Sequence, residues 1–157
     1  MRDETPSKQT PRNRTAATVS ANAVEEMERP TILMADDESA VRDRVRRLLE
    51  SQFQVVETVS DGQVLLAAAD RLKPDFILAD ISMPVLNGFE AARRLKAAAP
   101  STRIIFLTVH EEPAVVTAAL MIGVNGYVIK RAAAQDLVVA IREVLEGRCF
   151  VSPALSL

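Results

Sequence analysis

Residues 75–90 read Asp75-Phe-Ile-Leu-Ala-Asp-Ile-Ser-Met-Pro-Val-Leu-Asn-Gly-Phe-Glu90, and this run decides how the chain folds. Residues 75–79 are apolar after the first position, with no polar alternation, as in a strand covered on both faces. Residues 87–98 then take up the three-and-four spacing of an amphipathic helix. A buried strand, a polar loop and a helix make the repeating unit of a parallel sheet.

The unit recurs outward in both directions. Strand-length apolar runs lie at 31–35, 53–58, 103–107 and 126–129, and helical periods at 39–51, 61–72, 112–122 and 135–146. The first helix carries Val41, Val45, Leu48 and Leu49 on one face, and the last carries Leu137, Val138, Ile141, Val144 and Leu145. Ser39 reads as the cap of the first helix, Asp61-Gly62 opens the second, and Gly147 follows the fifth. Pro74 and Pro100 fall just before strands, where a helix cannot continue. Five strands alternating with five helices predict an α/β fold. Right-handed crossovers make it a flavodoxin-like, doubly wound, five-stranded parallel sheet of order 2-1-3-4-5 with helices on both faces.

Composition sets outer bounds. The chain has 157 residues, 48% apolar, with 19 Lys+Arg against 21 Asp+Glu. That is ample for one packed domain. A net charge of −2, with no Trp, one Tyr and five Phe, argues against a dedicated nucleic-acid surface. The single Cys149 excludes an internal disulfide and reads as a small buried hydrophobe. The single His110 excludes a multi-histidine zinc site. No apolar run approaches the roughly 18 residues of a membrane span, and no secretory h-region opens the chain, so a cytoplasmic location is expected. Residues 1–30 differ from the rest. They are polar, carry Pro6, Pro11 and Pro30, balance five basic against five acidic residues, and read as an extension too polar to order itself.

The chemistry sits at the strand ends. The first strand ends in Asp36-Asp37, the third in Asp80, the fourth in Thr108 and the fifth in Lys130. In an open α/β sheet ligands bind beyond the carboxyl ends of the strands at the switch point, here between strands one and three. Three carboxylates converging there need positive charge among them. Mg²⁺ suits an all-oxygen set that leaves room for water and phosphate oxygens. A carboxylate nucleophile, a metal, a lysine and a hydroxyl suit in-line phosphoryl transfer onto a carboxylate. Taken singly, each Asp is as readily a turn or helix-cap residue, and Tyr127 a core aromatic.

The motifs I-L-M-A-D-D-E (32–38), F-I-L-A-D-I-S-M-P-V-L-N-G-F-E (76–90), I-I-F-L-T-V-H (104–110) and G-V-N-G-Y-V-I-K (123–130), in this order, resemble the receiver domain of bacterial two-component response regulators. The resemblance implies that Asp80 accepts phosphate from a sensor histidine kinase or phosphotransfer protein. It implies that Asp36 and Asp37 bind Mg²⁺, with Asp80 and the Ser82 backbone carbonyl as further ligands, and that Lys130 pairs with the phosphoryl group. Thr108 would be the switch hydroxyl and Tyr127 the aromatic that turns inward with it. Ser82 and His110 would flank the phosphate and tune its lifetime. Pro84 and Gly88 fit the loop after Asp80, with Gly88 supplying positive φ. The implied product is a phosphorylation-dependent switch, not an enzyme, that can form a homodimer when phosphorylated.

One departure stands beside the lysine, where the family often has Pro and this chain has Arg131. The segment from Gly126 to Pro153 is most similar to receivers that precede a LuxR-type helix-turn-helix domain. The expected organisation is therefore an extension over 1–30, a receiver over 31–150 and the start of a linker over 151–157. Either this is a stand-alone receiver or a fragment of a DNA-binding regulator cut at its linker, and the chain is not expected to bind DNA or membrane by itself. The rival enzyme is an aspartate-nucleophile phosphohydrolase. Enzymes resembling the haloacid dehalogenase class place a second Asp two residues after the nucleophile, where this chain has Ser82.

Overall fold

A computed structural model describes residues 29–155, so the expectation for the first 28 residues lies outside the described residues. The elements run β1 (Thr31–Ala35), α1 (Ser39–Leu49), β2 (Gln54–Val59), α2 (Gly62–Leu72), β3 (Phe76–Ala79), α3 (Gly88–Ala98), β4 (Arg103–Thr108), α4 (Pro113–Ile122), β5 (Gly126–Ile129), α5 (Ala133–Leu145) and β6 (Phe150–Val151). All strands pair in parallel in the order β2-β1-β3-β4-β5-β6.

The expected order holds for the first five strands, and the sheet has six rather than five. The addition crosses the expected boundary at residue 150. β6 has only two residues, too few to show an alternating period, and forms because β5 offers it an open edge. The Ser152 N–H donates to the Tyr127 carbonyl at 2.9 Å, and the Ile129 N–H donates to Ser152 Oγ at 3.1 Å. Both bonds are made beside a serine that is itself buried.

The core divides by the pleat. Ile32 and Met34 face α1 and α5, with Phe76, Leu78, Leu137 and Ile141. Leu33 and Ala35 face the other way, with Ile77, Leu65, Ala91, Phe106, Val116 and Tyr127, under α2, α3 and α4. Successive strand residues point to opposite faces, so a strand buried on both sides must be apolar at every position. β3 meets that requirement, with all four residues buried.

Local chemistry sets the helix starts. Asp61 caps α2 by accepting from the Val64 N–H at 2.8 Å, and Asn87 caps α3 from the Glu90 N–H at 2.9 Å. Ser39 does not cap α1: the residue before the helix is Glu38, which makes no side-chain cap bond. Instead Asp36 Oδ1 accepts the Glu38 N–H at 2.9 Å, so a carboxylate of the site closes that turn. Gly88 is a second correction, because the left-handed residue of the loop is Val85 (φ 67°). Gly88 is needed for space, since a Cβ there would lie 2.2 Å from the Asp80 carbonyl oxygen. Cys149 is exposed rather than buried, in the turn before the edge strand.

Candidate functional site

β1 and β3 lie side by side, so the residues that follow them emerge together at the carboxyl rim. The Asp36 N–H donates to the Val59 carbonyl at 3.0 Å and the Asp80 N–H to the Ala35 carbonyl at 2.9 Å, carrying the sheet's ladder one residue past each strand. Both aspartates are buried, while Asp37 is exposed.

Lys130 starts the 3-10 turn after β5 and reaches back across the rim. Its Nζ lies 3.0 Å from Asp80 Oδ2 in a hydrogen bond and 2.9 Å from Asp36 Oδ2 in an ion pair. Glu38 Oε1 stands farther out at 3.8 Å. Burial pushes the Asp36 carboxyl above its ordinary range, against the Glu38 N–H and the Lys130 ammonium, which pull it down. Burial pulls the Lys130 ammonium down, but the negative charges of Asp36 and Asp80 beside it outweigh that and hold it above the usual lysine value.

Asp36, Asp37 and Glu38 present carboxylate oxygens within 4.8 Å of one another. Asp36 Oδ2 is buried, and its approach to Lys130 lacks the alignment of a hydrogen bond. An under-satisfied buried carboxylate oxygen beside two exposed carboxylates fits a hard cation with oxygen ligands. Glu38 was not among the expected site residues. Its signal was its place directly after Asp36-Asp37, which reads equally well as helix-start chemistry.

Thr108 and Tyr127 meet at His110. Thr108 is fully buried, and its Oγ1 accepts the His110 N–H at 3.3 Å. The Tyr127 hydroxyl donates to the His110 carbonyl at 2.6 Å, so Tyr127 is turned inward. Burial, then the negative charges of Glu112, Asp80 and Glu111, push the Tyr127 phenol up to about 12. The His110 ring closes the same corner: Nε2 is 2.8 Å from Ser82 Oγ, and Nδ1 is 3.8 Å from Glu112. The Ser82 N–H makes a long 3.4 Å contact to Asp80 Oδ1. Met83 packs in the core beside it. All the expected site residues thus lie along one rim.

Arg131, in place of the family's common Pro, forms a two-pronged pair with Glu111 at 2.7 and 3.0 Å. It ties the β5–α5 connection to the loop that carries His110, a contact that nothing in the order of residues announced. Among the described residues every peptide bond is trans, the Lys130–Arg131 bond included.

Residues 32–142 match the response regulator receiver domain. The transcriptional regulatory protein DegU of Brevibacillus brevis is 34% identical over 127 residues, covering 80% of this chain and 54% of that protein. The chain spans just over half the length of the curated relatives it matches. A LuxR-family two-component response regulator from Aurantimonas superposes with a TM-score of 0.78 at 31% identity, over 82% of this chain and 93% of that one. The isolated receiver of RcsB from Salmonella enterica, solved with the phosphomimetic BeF3-, gives 0.76 at 28% identity, over 82% and 96%. No helix among the described residues is long and apolar enough to cross a membrane. The family match covers most of the chain and falls on the strands that carry the acidic pair, the aspartate, the hydroxyl and the lysine: this chain belongs to the response regulator receiver domain family.

Proposed function

We propose that the chain is a phosphorylation-dependent switch of a two-component relay, accepting a phosphoryl group on Asp80 from a histidine kinase or phosphotransfer protein. The observation that carries this reading is the placement of one ammonium, Lys130, against two buried carboxylates at 2.9 and 3.0 Å.

An ionised carboxylate needs no general base to attack phosphorus, so catalysis falls to positioning and charge. Lys130 holds Asp80 Oδ2, leaving Oδ1 as the freer oxygen. Attack by Oδ1 forms the acyl phosphate as the bond from phosphorus to the donor nitrogen breaks. Lys130 is then within reach of both the aspartate and the new phosphoryl oxygens. Asp36 and Asp37, with Asp80 and the Ser82 carbonyl, would hold Mg²⁺, which supplies positive charge against the phosphoryl group. The Thr108 hydroxyl accepts from His110, so its own proton is free for a phosphoryl oxygen. Drawing Thr108 toward the phosphate disturbs the His110 backbone that Tyr127 also grips, and so connects the phosphate to the α4 side of the sheet. The hydrogen-bonded pair Ser82 and His110 borders the path of an attacking water and sets how long the phosphate lasts.

The chain acts on its own phosphoryl group rather than on a separate substrate. Ser82 stands where an aspartate-nucleophile phosphohydrolase places its acid/base carboxylate, two residues after the nucleophile. The receiver family and the all-oxygen rim support this reading, with the cytoplasm as its place of action. The test is incubation with acetyl phosphate and Mg²⁺ followed by mass spectrometry. One phosphoryl group is gained by the parent and none by Asp80→Asn. A parent that gains nothing, or a variant that still gains, overturns the reading. His110→Ala in the same assay changes the rate of phosphate loss; an unchanged rate removes His110 from that role.

A further inference from the structure

Arg42 lies one turn into α1, four residues after Glu38, and it uses its charge in an unusual way. Its neighbourhood holds Asp36, Asp37 and Glu38, yet among the described residues it forms no ion pair. Glu57, which lines the same hollow, is held by Arg71 at 2.8 and 3.1 Å. Arg42 instead points a guanidinium N–H at a backbone carbonyl, that of Asp36, at 2.6 Å. Among the described residues no backbone N–H outside a helix or strand ladder bonds that carbonyl.

That carbonyl belongs to the peptide unit between Asp36 and Asp37. Peptide units are planar, so fixing the carbonyl direction also fixes the N–H and the Cα of Asp37, the point from which its side chain departs. Asp36 is held at its other ends, by its N–H on Val59 and by Oδ1 on the Glu38 N–H. Asp37 is exposed, and among the described residues no hydrogen bond or ion pair holds its side chain. Arg42 closes the set from the helix.

We infer that Arg42 is a positioning residue for the divalent-cation site, acting by orienting the Asp36–Asp37 peptide rather than by its charge. This rests on the reading of Asp36 and Asp37 as Mg²⁺ ligands. The two ways in which Arg42 could matter have opposite signs. As a bare positive charge beside the acids it opposes a cation, so its removal would tighten Mg²⁺ binding. As the anchor of the peptide it favours binding, and its removal weakens it. Groups that orient metal ligands from the outer shell typically contribute 10–100-fold in affinity. A single bond to a carbonyl belongs at the low end.

The experiment is calorimetric titration of the unphosphorylated chain with MgCl₂, beside melting of each variant in chelator. The expected result for Arg42→Met is Mg²⁺ binding weakened about tenfold, with the chelated protein melting close to the parent. Arg42→Lys, which keeps the charge and one donor, falls between the two. Affinity in Arg42→Met equal to or tighter than the parent overturns the inference. So does a fall in melting temperature with unchanged affinity, which would mark Arg42 as a structural brace. If Arg42→Met does not fold, Arg42→Lys decides alone, and parent-like affinity in it overturns the inference. Asp37→Asn separates the two readings: a parent that binds no Mg²⁺, or whose binding survives Asp37→Asn, refutes the metal site and the inference with it, whereas binding lost in Asp37→Asn but kept in Arg42→Met overturns the inference alone.

Discussion

Tyr127 is the only tyrosine in the chain and there is no tryptophan, so the ultraviolet absorbance of tyrosinate reports on this one phenol. Its ring is fully buried, its hydroxyl donates to the His110 carbonyl, and its pKa is pushed up from 10 to about 12 by burial and by neighbouring carboxylates. A tenfold change in how tightly a proton is held corresponds to about 1.36 kcal/mol, so the folded state favours the neutral phenol by about 3 kcal/mol. The sign follows from linkage. A group protonated more tightly when folded contributes stability below its unfolded pKa and loses it as pH rises through the folded one. The loss therefore falls between about pH 10 and 12 for Tyr127, and the raised Lys130 loses its contribution in the same direction as pH rises. An alkaline titration followed by tyrosinate absorbance and circular dichroism together checks this. Absorbance is expected to rise no earlier than secondary structure is lost, and in denaturant to rise near pH 10. Ionisation near pH 10 with the fold intact would mean that Tyr127 faces solvent, and the proposed link from Thr108 through His110 to Tyr127 would fail.

Three further outcomes follow from the packing. Lys130→Met leaves two buried carboxylates facing each other without a counter-charge, a loss of about 3 kcal/mol by chemical denaturation at neutral pH, partly recovered as the pH falls and the carboxylates protonate. Gly88→Ala drives a Cβ to within 2.2 Å of the Asp80 carbonyl and destabilises by about 2 kcal/mol or more, while a parent-like melting curve would show that the loop yields freely. Val85 holds φ 67° in a turn closed by the Leu86 N–H on the Pro84 carbonyl at 2.7 Å, and the residue is 81% exposed. Relief of β-branched strain there makes Val85→Gly stabilising by about 1 kcal/mol, and equilibrium unfolding that shows a loss instead refutes the strain.

Much of this molecule was legible in the order of its residues, for a physical reason. A parallel sheet covered on both faces demands unbroken apolar strands, so 76–79 and 103–107 stood out, and the polar residue closing each strand was visible against them. Because neighbouring strands end at one rim, reading the strand ends amounted to reading the site. What was hidden depended on contacts between distant segments. β6 has two residues and exists only through the edge of β5. The need for glycine at 88 comes from the backbone of Asp80 eight residues earlier, not from its own dihedral angles. Ser39 looked like a cap by adjacency, whereas the carboxylate of Asp36 closes that turn from the site itself. Arg131 and Glu111 pair across 20 residues on exposed loops, where neither period nor propensity points to a partner.

The sixth strand has a mechanical consequence. Ser152 is stitched to the Tyr127 carbonyl and the Ile129 N–H, one residue short of Lys130, and the Leu155 N–H folds back onto the Ser152 carbonyl. Residues 150–155 are therefore fastened to the strand that carries the phenol and leads directly into the ammonium. A tilt or slide of that strand would carry Ser152 with it, because the two are joined by direct hydrogen bonds.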